Sequence, residues 1–164
     1  MLRIEQRCVA HPAYDERLVL PFELRQKSRF NATLAGGEDV SVVLARGGML
    51  RDGDCLLLQD GRTVCVVAAP ERLLRVTADD AASLARAAYH LGNRHAAVEI
   101  GADFLQLPYD HVLADMLVQL GMQIGEVTAP FQPERGAYSG GHHHHAGDAL
   151  RYAPVIHSFG NPRK

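Results

Sequence analysis

The chain has 164 residues, which is long enough for one compact domain or two small ones. Its composition, with 47% hydrophobic and 22% charged residues, is that of an ordinary globular protein. Its 17 Lys and Arg against 19 Asp and Glu give a formal charge of -2. This charge disfavours a nucleic-acid binder, which needs a concentrated positive face. The longest apolar run, 64–69, is far shorter than the roughly 20 residues of a membrane span.

The cysteines and the start of the chain indicate a reducing compartment. Cys8, Cys55 and Cys65 are odd in number and lack CxxC spacing, so we expect neither a disulfide framework nor a cysteine zinc site. Cys55 and Cys65 lie in β-prone runs, where we expect buried, inert thiols. Because residues 1–10 show no secretory signal, the expected location is cytoplasmic.

The first seventy residues have the pattern of a β-rich domain. Short β-prone runs separated by Gly and Asp cover residues 18–20, 22–24, 30–34, 40–45, 55–58 and 62–68. Asp60 and Gly61 favour a two-residue hairpin turn between the last two runs. We therefore expect a small sandwich or barrel-like domain over residues 1–70, followed by a hinge at 70–72.

The second half predicts strands alternating with helices. After a strand at 73–77, Thr77 or Asp79 can cap a helix that ends at Gly92. Strands at 96–100 and 104–107 precede a second helix, which Asp110 caps and Gly121 ends, and a strand at 123–129 follows. The order β-α-β-β-α-β is typical of a ferredoxin-like domain. The expected fold class is α+β: a β-rich domain (1–70), a ferredoxin-like domain (71–138) and a flexible histidine-containing tail (139–164).

Histidines dominate the candidate ligands. Four of the nine are consecutive (His142, His143, His144 and His145), and His157 lies in the same predicted tail. Neutral imidazole binds nickel, copper and zinc, and a short histidine run can wrap a divalent ion. A purification tag or a solvated linker is the alternative, but a tag normally has six histidines at a terminus, and residues 146–164 follow this run. We therefore favour native metal binding.

His95 is the second candidate, because it lies in a loop between a predicted helix and a strand. One imidazole cannot hold an ion, but two copies facing each other across a two-fold axis can share one, with tail histidines completing the shell. His90 and His111 are weaker metal candidates. His90 lies in the last turn of a helix, where it can instead interact with the helix C-terminus, and His111 follows the predicted cap Asp110.

Catalytic motifs are absent from the sequence. It contains no GxSxG, HExxH, Walker or dinucleotide-binding pattern. Asp52 and Asp54 are more simply a turn between strands than a carboxylate pair. A metal-dependent hydrolase would need a carboxylate base near the metal, so we expect a protein that is not an enzyme.

Several motifs resemble the UreE urease accessory proteins. YHLGNRH (89–95), DHVLADMLVQLG (110–121) and PFQPERGAY (130–138) carry the likeness in the second half. LRQKSR (24–29), VLARGGMLRDGDCL (43–56) and DGRTVCVVAAPE (60–71) carry it in the first half. The likeness spans nearly the whole chain, and GNRH followed by DHVL is its most specific part.

This resemblance implies a cytoplasmic nickel chaperone that forms a homodimer and donates nickel during urease metallocentre assembly. It implies a peptide-binding-like first domain, His95 as the interface ligand and tail histidines as further donors. The implied cargo is Ni2+, with Cu2+ or Zn2+ as competitors. The implied partners are the urease-activating GTPase UreG, the urease apoprotein and its accessory complex, with no role for nucleic acid or membrane.

Two alternatives remain open at this stage. Some family members carry extra histidines just before the second helix, where this chain has Tyr109, so a secondary site built from His90 and His111 is undecided. The chain could also be a peptide- or protein-binding module that pairs with an extended segment at a sheet edge, its histidine tail being incidental.

Overall fold

The computed structural model describes residues 2–9 and 13–134. The first half forms a six-stranded sheet with the order β2-β6-β5-β1-β4-β3 and one short helix. Its elements are β1 (Leu2–Cys8), β2 (Glu16–Leu20), α1 (Phe22–Arg25), β3 (Arg29–Thr33), β4 (Asp39–Val43), β5 (Cys55–Leu58) and β6 (Thr63–Ala68). The predicted β-rich first half is therefore confirmed.

This sheet is mixed and barrel-like. β1 runs parallel to β4 and β2 parallel to β6, whereas β1–β5, β5–β6 and β3–β4 are antiparallel. The edge strands β2 and β3 approach each other, since the Ala35 N–H donates to the Arg17 carbonyl across 2.8 Å. The sheet encloses a core of Leu, Ile and Val side chains that alternate along the strands, such as Val64 and Val66 of β6.

The hairpin turn at Asp60 and Gly61 is confirmed, but its loop has three residues, 59–61, instead of the two expected, because the Leu58 N–H donates to the Arg62 carbonyl. Gly61 has φ 93°, the left-handed conformation that glycine adopts without a Cβ penalty, and the Gly61 N–H donates to the Leu58 carbonyl. The Asp60 carboxylate accepts from the Arg62 backbone N–H at 3.1 Å. These local contacts fix the register of β5 against β6.

The expectation of a strand at 22–24 is wrong. Phe22–Arg25 forms a helix, which begins after Pro21, and the N–H groups of Leu24 and Arg25 both donate to the Pro21 carbonyl. A sequence of four residues with alternating polarity does not distinguish one helical turn from a short strand.

The second half forms a four-stranded antiparallel sheet with the order β10-β7-β9-β8 and two helices. Its elements are β7 (Pro70–Thr77), α2 (Ala81–Gly92), β8 (Glu99–Ile100), β9 (Leu105–Pro108), α3 (His111–Gln119) and β10 (Gln123–Pro130). The predicted hinge at 70–72 is instead the start of β7, because these residues pair with the end of β10. The α+β class is confirmed.

Both helices pack on the same sheet through one apolar face. Leu91 of α2 and Leu117 of α3 are fully buried against Leu74 and Leu107 of the sheet. Asp110 caps α3 as predicted, its carboxylate accepting from the N–H groups of the second and third helical residues. The cap of α2 is Asp80, rather than Thr77 or Asp79. Among the described helices, none is long and apolar enough to cross a membrane.

A fully buried arginine joins the two halves. Arg25, at the end of α1, donates to the backbone carbonyls of Leu20, Leu50 and Phe131. The rings of Phe22 and Phe131 meet edge to face, with centroids 5.0 Å apart. These contacts fix the point at which the chain leaves β10.

The expectation that the cysteines form no disulfide is wrong. Cys8 and Cys55 are bonded across β1 and β5, with Cα atoms 5.0 Å apart. Cys55 is buried as predicted, and Cys65 is a half-buried free thiol. Spacing along the chain carried no signal for this pair, because 47 residues separate the two cysteines.

Candidate metal centre

His95 lies in a tight loop that reverses the chain after α2. The His95 N–H donates to the Gly92 carbonyl at 2.9 Å, and the N–H groups of Arg94 and Ala96 donate to the Leu91 carbonyl. Leu91 is fully buried, and Ala96 packs against the same core. The loop is therefore anchored on both sides of His95, while the histidine itself is exposed.

The backbone of His95 is left-handed, with φ 55°. Within residues 2–9 and 13–134 it is the only residue other than glycine with positive φ. Glycine or asparagine usually occupies this place after a helix, since a side chain there costs on the order of 1–2 kcal/mol. A histidine at a position that favours glycine marks this residue as a candidate for function.

An open, mostly apolar depression of about 420 Å³ surrounds His95. It is lined by Ala88, Gly92, Ala96, Ala97, Val98, Ile100 and Glu134 together with His95. Ile100 is 55% exposed, and Tyr89, the neighbour of Ala88 in α2, is 66% exposed. His95 is thus an exposed side chain on an apolar surface.

The end of the described chain returns to this depression. β10 lies at one edge of its sheet, and β8 lies at the opposite edge. After Phe131, the Gln132 N–H donates to the Glu99 carboxylate of β8 at 2.7 Å, and the Glu134 N–H donates to the Val98 carbonyl at 2.8 Å. The side chain of Gln132 also accepts from the Asp52 N–H. The segment after β10 is thereby fixed beside the His95 loop.

Besides His95, Glu134 is the one described residue lining the depression whose side chain carries an oxygen or nitrogen atom, and it was not among the candidates predicted from the sequence. In the part of the chain covered by the structure, no three His, Cys, Asp or Glu side chains are grouped closely enough to hold a metal. A site at His95 would therefore need donors from a second copy of the chain or from beyond these residues.

His90 and His111 are placed on the two helices. His90, half-buried in α2, lies edge to face against the Tyr89 ring with centroids 5.4 Å apart, and its carbonyl accepts from the Arg94 guanidinium. His111 is the exposed first residue of α3. Neither residue lines the depression around His95.

The Tyr109 ring packs against the Arg72 guanidinium. The Arg72 guanidinium lies 3.7 Å from the centre of the Tyr109 ring and also bonds the Glu126 carboxylate through two N–H groups. These contacts raise the pKa of Arg72 and lower that of Glu126, each mainly through their shared hydrogen bonds. Just before α3, Tyr109 thus supports the ion pair between Arg72 and Glu126.

Asp52 and Asp54 form a turn, as predicted. The Asp52 carboxylate accepts from the Ala68 N–H at 2.7 Å. The Asp54 carboxylate accepts from the Arg51 N–H and pairs with Arg7 at 3.0 Å. The predicted tail ligands His142, His143, His144, His145 and His157 lie outside the described residues.

Comparison with known proteins decides the family. Residues 3–69 match the family model described as UreE urease accessory protein, N-terminal domain, and residues 71–157 match its C-terminal domain. The chain belongs to the UreE family of urease accessory proteins.

Relatives named Urease accessory protein UreE match at high identity. The protein of Azotobacter vinelandii (strain DJ) is 55% identical over 163 residues, covering 98% of both chains. That of Pseudomonas fluorescens (strain Pf0-1) is 52% identical over the same span. The UreE of Burkholderia vietnamiensis (strain G4) is 61% identical over 127 residues, covering 77% of this chain and 64% of its own. The resemblance seen in the sequence motifs is confirmed.

Proposed function

We propose that this chain is a cytoplasmic nickel chaperone, not an enzyme, that donates nickel during urease metallocentre assembly. Its membership of a family of urease accessory proteins supports a role in urease maturation. The observation that carries the nickel role is the placement of His95 and Glu134 in one depression. The segment leading to the histidine run starts beside the anchored histidine.

The proposed organisation has three parts. We propose a peptide-binding-like domain over residues 1–70, a metal-binding domain over residues 71–138 and a histidine-containing tail over residues 139–164. The order β-α-β-β-α-β and the antiparallel sheet β10-β7-β9-β8 support a ferredoxin-like assignment for the second part.

A homodimer would complete the site. The rim of the depression exposes apolar side chains, including Tyr89 and Ile100, which are the residue types that interfaces bury. In a two-fold interface centred here, each His95 would face its partner copy, and the two imidazoles could share one ion. Apolar surroundings then shield the ion, while the His95 imidazole is a ligand type that suits nickel, copper and zinc.

The tail histidines would supply the remaining donors. His142 follows Glu134 by eight residues, a distance of at most roughly 28 Å for extended chain. This length is sufficient for His142, His143, His144 or His145 to reach an ion at His95, and His157 is a further candidate. Donors carried by a separate segment can leave one at a time, which opens coordination positions for the acceptor. We propose UreG and the urease apoprotein complex as the receiving partners.

The decisive experiment is a calorimetric nickel titration of the full chain in which His142, His143, His144 and His145 are replaced by alanine. We expect one retained ion for every two chains, because two His95 residues share it. The unmodified chain serves as the control and should bind additional ions. One ion per chain would contradict the shared site and favour His90 with His111, and loss of all binding would place the site in the tail.

Nickel affinity should fall as the pH drops through about 6.5, where imidazole in model peptides takes up a proton. Only neutral imidazole binds a metal, so each ligand that must lose a proton costs up to about tenfold in apparent affinity per pH unit below this value. Titrations at pH 7.5, 6.5 and 5.5 check the slope. Equal affinity at pH 7.5 and 5.5 would exclude histidine as the main ligand.

A further inference from the structure

The three cysteines of the chain form one row across neighbouring strands. Cys8 of β1 is the register partner of Cys55 in β5, and Cys55 is also the register partner of Cys65 in β6. Side chains of directly opposed residues lie on the same face of a sheet. The three sulfur atoms therefore lie side by side on one face, with Cys55 in the middle.

The pair Cys55–Cys65 has the spacing that a disulfide needs. In the β5–β6 ladder, the Val66 N–H donates to the Asp54 carbonyl and the Leu58 N–H donates to the Arg62 carbonyl. Hydrogen-bonded pairs alternate with non-hydrogen-bonded pairs, so Cys55 and Cys65 form a non-hydrogen-bonded pair, with Cα atoms about 4.5 Å apart. A disulfide accepts Cα separations of about 4.4–6.8 Å.

The row also gives the geometry for exchange. A thiolate attacks a disulfide sulfur from the side opposite the leaving sulfur, and Cys65 and Cys8 lie on opposite sides of Cys55. Cys55 is 3% exposed, whereas Cys8 and Cys65 are half-buried. The central sulfur is therefore shielded from dissolved thiols but directly beside the free thiol of Cys65.

We propose that this row is an internal thiol–disulfide exchange site, independent of the nickel function. The Cys65 thiol loses its proton, and its Sγ attacks the Cys55 Sγ. The Cys55–Cys65 bond forms as the Cys8–Cys55 bond breaks, and Cys8 leaves with the electron pair and takes up a proton. No external oxidant or reductant is consumed, since one disulfide and one thiol are present before and after the step.

The location of the free thiol tests this proposal. The full chain, oxidised in a glutathione buffer, is labelled with N-ethylmaleimide and digested with trypsin, which places the cysteines in separate peptides (8–17, 52–62 and 63–72). We expect label on both Cys65 and Cys8, with about one tenth or more on Cys8, because both pairings satisfy the disulfide spacing. Label confined to Cys65 would overturn the proposal.

Three variants keep the test interpretable. Cys8→Ser should form the Cys55–Cys65 disulfide, seen as a link between peptides 52–62 and 63–72, and two labelled thiols in this variant would also overturn the proposal. Cys65→Ser should keep the Cys8–Cys55 link and carry no label. Cys55→Ser is the matched control, in which both outer thiols should be labelled, because residues two strands apart are too distant to bridge.

Discussion

Replacing His95 by alanine should abolish the tightest nickel site, weakening its affinity by more than about 100-fold. Loss of a group that merely orients a metal ligand typically costs 10–100-fold, and this change removes a proposed ligand from both chains of the dimer. Calorimetric titration of the full-length variant measures the effect. Sedimentation of the apo protein should show the dimer largely retained, because the apolar rim around His95 is unchanged.

Because the backbone of His95 is left-handed, glycine can replace this histidine without straining the loop. His95→Gly also removes the imidazole but suits φ 55°, so it should fold at least as stably as the parent. Both variants should lose the site to the same extent, which separates loss of the ligand from damage to the loop.

A matched histidine variant completes this test. His111→Ala removes an exposed imidazole from the start of α3, outside the depression, and should leave the tightest site unchanged. Parent-like nickel binding by His95→Ala would contradict the proposed centre. Loss of nickel binding in His111→Ala would instead place the tightest site at the start of α3.

Replacing Arg25 by methionine should destabilise the fold by about 2–4 kcal/mol. The guanidinium is fully buried and donates to three backbone carbonyls, on Leu20, Leu50 and Phe131. Methionine keeps much of the apolar stem but donates no hydrogen bond, so these buried carbonyls lose a partner. Urea unfolding followed by circular dichroism should show a midpoint lower by about 1–2 M.

The charge of Arg25 is balanced inside the fold. Desolvation lowers the pKa of its guanidinium, while the carboxylates of Glu71, Asp52 and Glu99 favour the charged form. The Glu71 carboxylate also accepts from the Phe22 N–H at 2.6 Å. Methionine would leave these carboxylates without the cation that they surround, which adds to the expected loss.

An exposed arginine is the control for this prediction. Arg29→Met on edge strand β3 removes the same charge from the surface and should change the free energy of unfolding by less than about 0.5 kcal/mol. Equal stability of the Arg25 and Arg29 variants would show that the buried guanidinium does not hold the two halves together.

The sequence predicted features that are decided over a few neighbouring residues. The position of the turn at Asp60–Gly61, the cap Asp110 and the order of strands and helices in the second half are all confirmed. Turn conformations, helix caps and hydrophobic periodicity depend on the types of residue at a few neighbouring positions. The family was recognisable for the same reason, because its motifs are continuous segments.

The tertiary structure alone decided which distant residues meet. The row of cysteines depends on the register of three strands, and the burial of Arg25 depends on a carbonyl 106 residues away. Glu134 reaches the His95 depression only because the chain crosses to the opposite sheet edge after β10. Such contacts follow from how the packed sheets bring the chain together, so neither spacing nor composition could have located them.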